Sequence, residues 1–504
     1  MYFEILEPNT RPPTDTGDRF FLVRDRWDDW FTYETQFHLN YVNNKNEAVF
    51  IGNVKIGQFS MEEGQKSPDI TGPFEELSDK FFSLGQEEEY YQNLNNLGEE
   101  IRNEVLTRLK DVALDQHLYE KAISEDVMNT SLLRSVARSS VKGRFKKLAR
   151  GDASLTSYEF KYRLPLKEDT ILSFKVEPNS TPPTNIHTII GRNGVGKTHL
   201  LNNIVKSVLL GDESFGKFIN EEELLIYELF ANMVFVSFSA FESSIPVSQE
   251  DQEDFSISYS YIGLKDLNKN EEKGNHLTKD TEILRAEFVE SLLNCVYSAK
   301  RRRWQEAVDI LQSDPIFRHT GITQIPYISD KNELESYASI LFDKLSSGHK
   351  IVLLTITRLV ETVEEKSLVM LDEPEAHLHP PLLSAFTRAL SNLLITRNGV
   401  AIVATHSPVV LQEVPRSCVW KVRRAREEVV AERLEIESFG ENIGSLTREV
   451  FGLEVTHSGF HTLIMDAVQY YQDYDEIVAH FNNELGKEAL FLIRSLLMDY
   501  ESRE

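Results

Sequence analysis

The stretch Ile189-Ile190-Gly191-Arg192-Asn193-Gly194-Val195-Gly196-Lys197-Thr198-His199-Leu200-Leu201 constrains the fold of this chain more than any other. Short apolar residues lead into the spacing G-x-x-x-x-G-K-[ST], and an apolar helical run follows. That is the strand, loop and helix order of a phosphate-binding loop. Gly191, Gly194 and Gly196 let backbone N–H groups turn toward a polyphosphate, and the following helix adds donors and partial positive charge. Lys197 is placed to reach the β and γ phosphates, and the Thr198 hydroxyl to sit on Mg²⁺. A glycine-rich turn before an ordinary helix is the plainer alternative, but it gives no packing reason for the Lys-Thr pair.

Two later segments extend this reading. Ser367-Leu368-Val369-Met370-Leu371 has the character of a buried strand ending in Asp372-Glu373-Pro374, and Ala401 to Thr405 that of a second ending in His406-Ser407-Pro408. In open α/β sheets ligands bind beyond the carboxyl ends of strands, so these polar residues are expected at the phosphate loop. Neighbouring strand residues point to opposite faces, so Asp372 and Glu373 can share a site only if the strand stops there; Pro374 favours that exit. Asp372 is expected to hold Mg²⁺ coordination and Glu373 to act as general base. His406 either contacts the γ-phosphate or positions the attacking water. Leu345-Ser346-Ser347-Gly348-His349-Lys350 reads as a helix N-terminus with small residues that permit close approach.

The 504 residues allow two or three structural units. No segment offers about 18 uninterrupted apolar residues, and Met1-Tyr2-Phe3-Glu4 opens without a basic run. A cytoplasmic protein that does not enter a membrane is therefore expected. Cys295 and Cys418 are the two cysteines, too few for a disulfide framework or a cysteine zinc site. A net charge of −26 argues against nucleic acid over the whole surface. Any such contact is expected to be local or through a partner.

Residues 20 to 60 alternate aromatic and polar residues, as a small antiparallel sheet does, with Trp27 and Trp30 as packing residues. Residues 86 to 125 read as amphipathic helices, with Glu87-Glu88-Glu89 at a helix start. The run Arg134, Arg138, Lys142, Arg144, Lys146, Lys147 and Arg150 is a candidate contact for nucleic acid or an acidic partner; a solvated helix face is the alternative. The same pair of readings applies to Lys300-Arg301-Arg302-Arg303 on an expected helix from 282 to 311, where a solvated face is the safer one. Gln249 to Asp254 reads as an acidic loop. His457 and His461 have metal-like spacing with no acidic or cysteine partner, which favours a structural role. Fewer than about 100 residues follow His406, too few for an acidic metal-binding nuclease domain beside a helical tail.

These motifs resemble the Walker A, signature, Walker B, D-loop and switch-histidine elements of an ABC-type ATPase head. The Glu375-Ala376-His377-Leu378-His379-Pro380 continuation resembles the branch of recombination-repair, chromosome-maintenance and overcoming-lysogenization-defect ATPases. Phe82-Ser83-Leu84-Gly85 with Tyr90-Tyr91, Ser131 to Val136 and Leu345 to Lys350 look like the PtuA ATPase of Septu and retron-associated antiphage systems. The resemblance implies an α/β fold, a P-loop head with a mixed sheet flanked by helices. The divisions expected are 1–156 (strands and helices), 157–240 (head with Walker A), 241–335 (insertion), 336–420 (head with signature, Walker B and switch histidine) and 421–504 (mainly helical).

It further implies an ATPase using ATP and Mg²⁺, with Ser346, Ser347 and Gly348 of one copy closing on the γ-phosphate held by another. An HNH nuclease partner is implied too, and in the retron form a reverse transcriptase with its msDNA. Nuclease activity would reside in the partner. A DNA-repair ATPase gripping DNA directly is the second reading. Ser347 stands where the signature usually has Gly, and no glutamine closely follows the Met233 to Ser239 strand, which points to slow hydrolysis.

Overall fold

The computed structural model describes residues 1–13, 17, 19–25, 32–43, 45–61, 64–151, 157–165, 170–220, 226–238, 255, 257–270, 276–298, 300–328, 330–425, 428–452 and 459–501. Trp27, Trp30, the acidic loop 249–254 and His457 lie outside the described residues. The chain forms two compact units, one of Met1–His187 with Thr198–Val403, the other of Thr188–Lys197 with Ala404–Glu504.

The first unit opens with a five-stranded sheet in chain order: β1 (Phe3–Leu6), β2 (Arg19–Arg24), β3 (Gln36–Val42), β4 (Ala48–Gln58) and β5 (Phe81–Gly85). β1 and β2 pair in parallel and the other neighbours antiparallel. Helices Glu88–Asn96 and Glu99–Arg108 bury Tyr90, Tyr91, Leu94 and Val105 in one cluster with Phe37, Leu39, Val54, Phe82 and Leu84. The Tyr91 hydroxyl bonds the Asp111 carboxylate at 3.0 Å and receives the Gly85 N–H at 3.1 Å. The Phe82–Gly85 and Tyr90-Tyr91 residues are thus interior parts of this fold.

The expected helical stretch from 86 to 125 divides into three helices, because Gly98 adopts φ 104° before the second and Asp115 caps the third at Gln116–Ala122. A second, antiparallel sheet of order β7-β6-β9 joins β6 (Tyr158–Arg163), β7 (Ile171–Val176) and β9 (Lys217–Asn220). Phe160 stacks on Phe174 and Phe218 within it.

The principal sheet has the order β11-β10-β14-β15-β8-β16-β17. Its members are β8 (Ile186–Ile190), β10 (Asn232–Ser237), β11 (Ser258–Gly263), β14 (Leu368–Asp372), β15 (Val400–Thr405), β16 (Val419–Ala425) and β17 (Glu428–Glu432), while β12 (Lys265–Asn270) and β13 (His276–Thr278) pair antiparallel with each other as a separate two-stranded sheet. β8 and β15 begin in the first unit and run on into the second. The β10–β11, β10–β14 and β8–β16 pairs are parallel, and β16–β17 is antiparallel, so the sheet is mixed. Every residue of β8, β10, β14 and β15 is buried, as expected of strands covered on both faces.

Two boundaries differ from expectation. β11 belongs to this sheet and not to an insertion, since pairing with β10 overrides its distance in sequence from the other strands. The helix expected over 282–311 is two, Thr281–Val296 and Arg301–Leu311, separated after the Tyr297 cap.

The basic run at the start of the second of these helices is divided: Arg301 and Arg302 are exposed, as a solvated face requires, while Lys300 is half-buried and Arg303 buried. Trp304 is fully buried with its indole N–H on the Thr357 hydroxyl at 3.0 Å, and Arg303 is buried beside it. The Lys300 ammonium donates to the Glu361 carbonyl at 2.6 Å. Burial depresses the Lys300 pKa and lowers that of Arg303 to about 10.

In the second unit β16 and β17 form a hairpin within the stretch expected to be mainly helical. Helices follow at Ile443–Phe451, Phe460–Tyr471, Tyr474–His480 and Lys487–Glu501, the last three packed around Ile464, Val468, Ile477 and Ile493. Among the described residues no helix is long and apolar enough to cross a membrane.

Candidate functional site

The phosphate loop follows β8 directly, and the helix Lys197–Leu210 opens at its end. Gly194 and Gly196 hold φ 79° and 96°, left-handed values that admit glycine without steric cost. A Cβ on Gly191 would run into the Val422 carbonyl oxygen, so β16 packs against the loop backbone at that point. Lys197 is buried, and its ammonium donates to the carbonyls of Gly191 and Arg192, both at 3.1 Å. Arg192 reaches the Phe451 carbonyl at 2.7 Å. Arg192, Asn193, Gly194, Val195 and His406 line one groove of 890 Å³ in the second unit, together with Lys421 to Arg424 and Glu449 to Gly452. Lys421 is held there by Glu449 and Glu432, each at 3.2 Å.

In the first unit the Thr198 hydroxyl donates to the Asp372 carboxylate at 3.1 Å. Both are hard oxygen donors, the ligand type Mg²⁺ takes, so these two residues fit that ion. β14 ends at Asp372, and Glu373 takes φ 46° and ψ 58°. A non-glycine residue in the left-handed region costs about 1–2 kcal/mol and persists where surrounding structure enforces it. Here it breaks the strand alternation that would send the Glu373 side chain to the far face of the sheet. Pro374 begins the short helical turn that follows.

Ser346 and Ser347 are exposed at the start of the helix Ser347–Thr362. Gly348 is buried, and a Cβ there would lie 2.6 Å from the His377 carbonyl oxygen. Its lack of a side chain lets this helix start sit against the segment after Glu373. Ser346 bonds His349, which bonds Asp314. Sequence reading did not single out Asp314; the only hint is Asp314-Pro315, an N-cap and N1 pair.

The basic run 134–150 is divided by the fold. Arg138, Lys142, Lys147 and Arg150 are exposed, while Arg134 and Lys146 are half-buried. Arg144 leaves the candidate surface altogether: it is buried and its Nε donates to Glu88 at 3.2 Å. Lys142 lies over the Tyr119 ring and Arg138 donates to Asn129. His461 is buried with its ring against Phe460. Among the described residues no cluster of three or more His, Cys, Asp or Glu is arranged to hold a metal.

The loop between β8 and its helix and the mixed sheet with its flanking helices define the fold of an ABC-type P-loop ATPase. Residues 260–412 match the AAA_21 family model, described as "AAA domain, putative AbiEii toxin, Type IV TA system". The chain is also 39% identical over 527 aligned positions to Protein ea59 of Escherichia phage lambda, an alignment covering 99% of this chain and 98% of that one. It belongs to the family of that phage protein. Among solved structures it is similar to an ATP-binding cassette of an ABC transporter in its ADP conformation, at 12% identity over 60% of this chain and 100% of that chain, with a TM-score of 0.32. It is also similar to cbiO1 of Clostridium perfringens, part of the ABC transporter complex cbiONQ, at 14% identity over 63% and 96% of the two chains, with a TM-score of 0.29.

Proposed function

We propose that this protein binds and hydrolyses ATP with Mg²⁺ and uses the nucleotide to close two copies of itself into a sandwich. The observation that carries the reading is the Thr198–Asp372 contact, with Glu373 turned out of the strand directly after it. Thr198 follows directly on Lys197, the last residue of the phosphate loop. The Lys197 ammonium exchanges its two loop carbonyls for β and γ phosphate oxygens. Mg²⁺, when bound through Thr198 and Asp372, supplies charge neutralisation at those oxygens. Glu373 takes a proton from the attacking water, and His406, in the groove beside the loop, contacts the γ-phosphate or orients that water. With one such loop per chain, Ser346, Ser347 and Gly348 must come from a second copy.

The finer reading is that closure licenses a separate nuclease of the HNH type, with a reverse transcriptase and msDNA in a retron setting. It rests on the likeness of the 82–91 and 131–136 segments to PtuA. Phe82, Leu84, Tyr90 and Tyr91 have a packing role that accounts for them without any partner. The full-length relative belongs to a phage, so the switch is the part of the reading to test first.

Glu373→Gln removes the base and keeps the nucleotide ligands. It is expected to bind Mg-ATP and accumulate as a dimer by size-exclusion chromatography with light scattering. A variant that binds ATP yet stays monomeric at all protein concentrations would refute the sandwich. Nucleic-acid cleavage by the purified chain alone would refute the separate-nuclease reading.

A further inference from the structure

Ser346 is the N-cap of the helix Ser347–Thr362, yet its side chain caps none of that helix's N–H groups. An N-cap serine ordinarily accepts from the second or third helical residue. Instead Ser346 Oγ lies 2.6 Å from Nδ1 of His349. His349 is buried, and its Nε2 lies 3.1 Å from Oδ1 of Asp314, which is itself 3% exposed. Asp314 is fixed by the N–H groups of Ile316 and Phe317, and the Phe317 ring meets His349 edge-on at 5.1 Å. The second Asp314 oxygen is 3.6 Å from Nε2 of His379, in the segment after Glu373.

Donor rules fix the protons. Asp314 already receives two backbone N–H groups as a carboxylate and accepts the His349 Nε2–H. In the neutral imidazole Nδ1 is then an acceptor, so the Ser346 O–H donates to it and the serine lone pairs face outward. A phosphate oxygen arriving there meets lone pairs. If His349 gains a second proton, its Nδ1–H donates to Oγ, the Ser346 proton turns outward, and the hydroxyl becomes a phosphate donor. Asp314 is the counter-charge for that imidazolium, and among the described residues His379 is a further titratable group set against the ring, with centroids 6.0 Å apart.

We propose that His349, backed by Asp314, is a positioning residue that decides whether Ser346 offers a lone pair or a proton to the γ-phosphate of the opposing copy, so that ATP-driven closure takes up a proton at each His349 while the Ser346 hydroxyl keeps its own and reorients. This rests on the sandwich reading above. The test measures the Mg-ATP concentration for half-dimerisation between pH 6 and 8 by light scattering, for the wild-type chain, His349→Gln and Ser346→Ala, with thermal melts to verify folding. Gln retains an amide near the Asp314 carboxylate but has no Nδ1.

The wild type is expected to close more readily as pH falls, by up to about tenfold in the dimerisation constant per pH unit for each proton taken up. His349→Gln is expected to lose that slope. Ser346→Ala, which leaves the imidazole packing intact, is expected to close less readily and also to lose it. An unchanged slope in either folded variant overturns the proposal. A wild-type chain that stays monomeric with ATP overturns the sandwich reading itself, and with it this inference.

Discussion

Replacing Glu88 with glutamine changes one charge and almost no volume, and the structure places that charge between two buried cations. One Glu88 oxygen is 3.2 Å from Arg144 Nε and the other 3.2 Å from Arg397 Nη1. Glu88 and Arg144 belong to the N-terminal layer, whereas Arg397 ends the helix Pro380–Thr396 that lies between β14 and β15 in sequence. All three side chains are buried. After Glu88→Gln the acids near the two guanidiniums include Glu89, 3.9 Å from Arg397, and Glu365, which burial pushes up to about 7, while Glu87 is held largely protonated at neutral pH. Removing one partner of a buried ion pair costs about 3–5 kcal/mol, most of it the penalty of an uncompensated buried charge. Urea unfolding, followed by intrinsic fluorescence and circular dichroism, should therefore move to lower midpoint by about 1 M or more, taking a slope of about 3 kcal/mol/M. The triple variant Glu88→Met, Arg144→Leu, Arg397→Met removes all three charges and should recover most of that loss. If Glu88→Gln unfolds within about 0.5 kcal/mol of the wild type, the range of an unremarkable surface change, the argument fails.

Burial, with the Glu89 charge as the second cause, pushes the Glu87 carboxyl up to about 8 from its ordinary 4.5. A raised carboxyl pKa means the folded state holds the extra proton, so stability falls as pH rises from about 4.5 to about 8. The ceiling is about 5 kcal/mol at 1.36 kcal/mol per unit. Glu87→Gln should flatten the unfolding midpoint across pH 5 to 8 relative to the wild type; parallel profiles would contradict it. Gly191→Ala puts a methyl against the Val422 carbonyl, and isothermal calorimetry should show nucleotide binding weakened by roughly tenfold or more, as overpacking costs about 1–3 kcal/mol. Neutralising Arg138, Lys142, Lys147 and Arg150 together tests the second reading: if the chain grips DNA directly, affinity and its salt dependence should both fall in a fluorescence-anisotropy titration, with ATP binding unchanged. Equal salt slopes for variant and wild type would remove this surface from consideration.

Local chemistry wrote the phosphate loop into the sequence. Glycines at 191, 194 and 196, a Lys-Thr pair and an apolar helix give one backbone path little choice, so the strand, loop and helix were legible without any long-range information. The strand end at Asp372 was legible for the same reason, since Pro374 constrains its neighbours. That the strand must stop before Glu373 for both carboxylates to share a site was a condition set by strand alternation, and the left-handed backbone at Glu373, which no local residue pattern announced, is how the chain meets it. What the sequence could not decide was which charged residues would be buried. Arg144 and Arg303 look like their exposed neighbours in the chain, and only the approach of Glu88 in one case and of the interior around Trp304 in the other separates them. Asp314 and His349 are 35 positions apart, and a side-chain hydrogen bond over that span carries no period or motif. Charge burial and relay geometry are properties of packed surfaces meeting, and tertiary structure alone sets them.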